Sequence, residues 1–92
     1  MALSLDEYRA TLINEILLAG SQQEIKQLID AAINLLKYNN VSGQSISGFI
    51  EKSLRNLDQF SPLNEEAWQW SNIKTAKVLF NRASYSIKSA VN

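Results

Sequence analysis

Apolar side chains recur at helical spacing along nearly the whole 92-residue chain, and no stretch alternates in the two-residue manner of a half-buried strand. Ser4-Leu5-Asp6-Glu7 reads as a capping box, in which the serine hydroxyl and the glutamate carboxylate each take an amide the first turn cannot satisfy. Behind it Leu5, Tyr8, Leu12, Ile13, Ile16 and Leu17 share one broad face. Gly20 then offers the left-handed residue that commonly ends a helix, because it has no Cβ to clash. The first helix is expected over residues 5–19.

The pattern repeats at once. Ser21-Gln22-Gln23-Glu24 is a second capping box, followed by Ile25, Leu28, Ile29, Ala32, Ile33, Leu35 and Leu36 on a 3-4 stripe. A second helix over 22–38 follows so closely on the first that the two must fold back as an antiparallel hairpin. Asn39-Asn40-Val41-Ser42-Gly43-Gln44 is rich in turn formers and reads as a loop. Ile46, Phe49, Ile50, Leu54, Leu57 and Phe60 make a third stripe over 46–60, with Gly48 weakening its first turn. Ser61 and Pro62 suit a cap and a first helical position, so a long fourth helix is expected over 62–90. These four segments imply an all-α fold: a small antiparallel up-down four-helix bundle with a long C-terminal helix, in a single domain spanning residues 1–92.

On the fourth helix Trp70, Ile73, Ala76, Phe80, Ala83, Ile87 and Ala90 gather on one side. Ile73, Phe80 and Ile87 are seven apart, as are Ala76, Ala83 and Ala90. That spacing suits the fourth wall of the core, and it also offers a seam for a homodimer through the C-terminal helix. Trp68 and Trp70 lie about 200° apart on a helix and cannot share one core. Trp70 falls on the core side. Trp68 is left as a lid over the preceding loop or as a partner contact.

The formal net charge of zero conceals a division. Residues 1–66 hold nine acids and five bases, a net −4, whereas the last 26 residues hold Lys74, Lys77, Arg82 and Lys88 with no acid, a net +4. Lys74, Val78, Asn81, Tyr85 and Lys88 share one outward stripe, flanked by Lys77 and Arg82. Cations near a helix C-terminus also oppose its dipole and keep a surface soluble.

Composition narrows the chemistry. The chain has no His and no Cys, which removes zinc fingers, haem ligation by His or Cys, redox pairs and disulfides. The carboxylate pairs Asp6/Glu7 and Glu65/Glu66 fall in expected first turns, where dipole compensation accounts for them. Ser71-Asn72-Ile73-Lys74 matches a Ser-x-x-Lys spacing, but eleven Ser and six Lys make such a match ordinary by chance. No Gly-rich phosphate loop appears, and neither a catalytic residue nor a cofactor or metal is expected. The N-terminus shows neither the basic start nor the apolar run of a secretory signal, and no segment is apolar enough for a membrane. The Asn40-Val41-Ser42 sequon carries little weight without a secretory route, and a cytoplasmic protein is the default expectation.

The function these features favour is a small non-catalytic helical protein–protein interaction module, of the adaptor or inhibitor and immunity type. Its partner is a protein of unknown identity, acidic if it meets the basic stripe, and the expected contact residues are Trp68, Lys74, Lys77, Val78, Asn81, Arg82, Tyr85 and Lys88. The alternative is a nucleic-acid-binding protein that uses the same basic stripe. Few cations, an isoelectric point near 6.2 and the lack of a helix-turn-helix pattern make that alternative the weaker one.

Overall fold

A computed structural model describes residues 4–90 as four helices: α1 (Leu5–Leu18), α2 (Gln22–Tyr38), α3 (Gly43–Asp58) and α4 (Ala67–Ala90). Cross-helix contacts establish the topology. Lys77 and Lys88 of α4 reach Asp58 and Glu51 of α3 in reverse order, so those helices are antiparallel. Asn72 reaches the C-terminal end of α1 and Lys77 that of α3, so both helices end beside the first half of α4 and run parallel to each other, touching through Tyr8–Phe49 and Arg9–Asn56. The arrangement is the expected up-down bundle.

Each of the first three helices is opened by a serine. Ser4 Oγ accepts from the Glu7 amide at 3.3 Å, and Ser21 Oγ accepts from the Glu24 amide at 3.1 Å. Glu24 Oε2 returns past the cap to accept from the Gly20 amide at 2.9 Å. The third cap corrects the expected start of α3. Ser42 Oγ accepts from the Ser45 amide at 3.1 Å, which lets the helix begin at Gly43, three residues earlier than residue 46, and it closes at Asp58. Gly43 and Gln44 therefore belong to the helix and not to the loop.

The helix ends differ from expectation in an instructive way. Gly20 does not adopt a left-handed conformation, and α1 ends on Ala19 in extended geometry (φ −63°, ψ 143°). The left-handed closure occurs instead at Asn40 (φ 61°), where α2 ends. There the Val41 amide donates to Leu36 O and the Asn40 amide to Lys37 O, both at 3.0 Å, forming a Schellman closure with Val41 folded back onto the core.

The fourth helix begins at Ala67 and not at Pro62. Ser61 Oγ accepts from the Leu63 amide at 3.2 Å and Ser61 O accepts from the Asn64 amide at 3.0 Å. Those bonds tie residues 61–64 into a turn with Pro62 at its second position, where a fixed φ is favourable. The helical ladder starts when the Trp70 amide donates to Glu66 O at 2.9 Å.

The core runs the length of the bundle. Ile16, Ile25, Ile29, Leu36, Ile46, Ile50, Leu57, Ile73, Ala76 and Phe80 are fully enclosed, with Leu12, Phe49 and Ile87 nearly so. The Ile73–Phe80–Ile87 row is thus the fourth wall of this core, and the homodimer seam read from the same row is occupied within the chain. The Ala90 side chain, expected on that wall, lies outside the described residues. Trp70 packs against the core only in part, because its position falls at the core margin facing α3. Buried Ser53 is satisfied locally, its Oγ donating to Phe49 O at 2.8 Å. The Tyr8 ring lies 6.0 Å from that of Phe49, tilted by 57°. Burial, with a smaller contribution from Glu15, raises the Tyr8 hydroxyl above its ordinary pKa of 10.0.

Candidate interaction surface

The outer face of α4 carries most of the residues singled out in the sequence. Along it Ser71, Lys74, Val78, Asn81, Tyr85 and Lys88 follow one another at alternating spacings of three and four, and all are exposed. This is the heptad spacing with which one helix presents a straight seam to another. It runs opposite the inner row of Ile73, Ala76, Phe80, Ala83 and Ile87, which faces the core. Tyr85 is 76% exposed and Val78 50%, so the middle of the seam presents uncovered apolar area.

The two flanks of the seam differ. On the side facing α3, Lys77 is drawn down: its Nζ lies 2.8 Å from Asp58 Oδ1 and 5.8 Å from the Trp70 ring centroid. Only 29% of that side chain is exposed. The basic stripe is therefore not uniformly unpaired as the charge count suggested, and Lys77 joins α3 to α4. Lys88 lies 3.6 Å from Glu51 Oε1, an open pair with both side chains at least half exposed. Such pairs contribute little and exchange readily. Lys74 and Arg82 make no ion pair among the described residues.

The other flank opens toward α2. Thr75, Val78, Leu79 and Arg82 face Gln22, Gln23 and Lys26 across a groove of about 450 Å³. Trp68 sits on this same flank, seven residues before Thr75 and fourteen before Arg82, and is 50% exposed. It stands about 80° around the helix from Val78, so it borders the seam without belonging to it.

One polar residue of α4 escaped the sequence reading. Asn72 is 8% exposed, and its Nδ2 donates toward Ile16 O at 3.1 Å, Leu17 O at 3.4 Å and Ala19 O at 2.9 Å. It caps the C-terminus of α1, the helix end that Gly20 leaves without a left-handed closure. The available signal was a polar side chain in the apolar sector of α4, directly before Ile73 and one turn before Ala76.

Among the described residues no three His, Cys, Asp or Glu side chains gather as a metal-binding group. No helix there is long and apolar enough to cross a membrane. The arrangement offers charge, apolar area and a groove along one helix. Comparison with protein-family models, curated proteins and solved structures gives no match for this chain.

Proposed function

We propose that the chain is a small non-catalytic helical interaction module, of adaptor or inhibitor and immunity type, which meets a protein partner through the outer face of α4. The observation that carries this reading is the exposed seam itself: Val78 and Tyr85 uncovered at its centre, with Lys74, Asn81 and Lys88 interleaved at heptad spacing. Exposed aromatic and aliphatic side chains bordered by polar ones are the usual anchors of protein recognition. Nucleic-acid binding receives less support, because Lys77 is engaged with Asp58 and few mobile cations remain to follow a phosphate backbone.

A photoreactive amino acid placed at position 85 tests the reading in native cells, with position 38, also an exposed tyrosine on α2, as control. A discrete protein adduct at 85 and none at 38 is the expected result. Equal labelling at both positions, or an adduct to nucleic acid, rejects it.

A further inference from the structure

We infer that the partner presents an acidic amphipathic helix, which lies along the outer seam of α4 and leans toward α2. This deepens the preceding proposal and rests on it. Three features of the face select the occupant. First, the seam keeps the 3-4 spacing over residues 71–88, about 26 Å of helix, and a facing helix is the element that matches such a spacing.

Second, the charge is one-sided. Lys74 and Lys88 occupy equivalent seam positions fourteen residues apart, roughly 21 Å, with Arg82 beside them and no carboxylate anywhere in α4. A second copy of this chain would bring cations against cations in either direction, whereas a helix with carboxylates two heptads apart meets both lysines. Lys88 already pairs with a carboxylate at 3.6 Å in an open ion pair, so an incoming acid has only a weak contact with Glu51 to displace.

Third, the flanks set the tilt. The side toward α3 is closed by the Lys77–Asp58 pair, while the side toward α2 is the groove lined by Val78, Leu79, Arg82 and Gln22 among others. An amphipathic helix laid along the seam buries its apolar stripe on Val78 and Tyr85, leans over Leu79 at the groove, and leaves its acids at the edges.

The test uses the full chain and a fluorescein-labelled synthetic helix of three heptads, with leucines on one stripe and glutamates placed fourteen residues apart. Anisotropy is read at low and high salt. The expected results are saturable binding weakened by salt, loss of about tenfold or more on scrambling the peptide, and a similar loss in Lys74→Glu. Lys74→Glu/Lys88→Glu should further prefer a peptide carrying lysines at the glutamate positions. Lys74→Glu alone keeps the test clear of repulsion between position 88 and Glu51, and circular dichroism of each variant confirms the fold. Equal binding of the scrambled peptide, or indifference to Lys74→Glu, overturns the inference. So does tighter binding of a single-stranded oligonucleotide, or a stable dimer of the chain alone that Tyr85→Asp dissolves. A protein adduct at position 85 without peptide binding refutes the acidic helix and leaves the interaction module standing.

Discussion

Replacing Asn72 by Ala removes two N–H donors from three carbonyls at the end of α1, two of them in bonds that are fully buried. Ile16 O keeps the Ala19 amide at 3.2 Å and loses one bond of about 1 kcal/mol, whereas the buried Ala19 carbonyl is left without its side-chain partner at about 1–3 kcal/mol, so the expected loss is about 2–3 kcal/mol. A 92-residue domain holds roughly 5–14 kcal/mol in total, so the loss is a large share. The corresponding fall in melting temperature is roughly 10–20 °C. Thermal and urea unfolding followed by circular dichroism measure it, with Asn81→Ala as an exposed control expected to stay within about 0.5 kcal/mol. Asn72→Leu separates hydrogen bonding from packing: it restores the volume but not the donors, and should be about as unstable as the alanine variant. Wild-type stability in Asn72→Leu, or a loss in Asn72→Ala no larger than in Asn81→Ala, refutes the assignment of Asn72 as the cap of α1.

Gly48 lies inside α3 with open space where a Cβ would stand, so Gly48→Ala should raise stability by about 0.5–1 kcal/mol in denaturant melts. The folded state holds the Tyr8 proton more tightly than the unfolded chain, so this contribution to stability is complete below pH 10.0 and is lost as pH rises beyond it; Tyr8→Phe should remove that alkaline decline from a stability–pH profile. Lys77→Ala should cost up to about 1 kcal/mol through the lost pair with Asp58, against almost nothing for Lys74→Ala, a difference that melting of the two variants side by side resolves.

The sequence made the bundle legible because its strongest signals are local. A serine three residues before a glutamate, and an apolar residue every three or four positions, act within one or two turns and survive packing. The inner row of α4 was legible for the same reason. Helix ends were less so, because competing caps lie close together in the chain. Ser42, which reads as part of a turn-forming loop, caps α3 and starts it at Gly43, and Ser61 gives its hydrogen bonds to a turn and so delays α4 to Ala67. Gly20 looked like a left-handed stop, yet a side chain more than fifty positions away satisfies that helix end instead. Asn72 and Lys77 share this difficulty: each acts through a partner on another helix, and spacing within a helix carries no trace of it. The outer seam lay between these cases, since its exposure followed from periodicity while the engagement of Lys77 did not.

The claim that an acidic amphipathic helix lies along the outer face of α4 is tested most directly by amide shift mapping of the labelled chain titrated with the acidic three-heptad peptide. The account expects perturbations along 71–88 at the seam positions and at Gln22, Gln23 and Lys26 across the groove, with the α1 amides unmoved. Shifts centred on α1, or none at millimolar peptide, would contradict it.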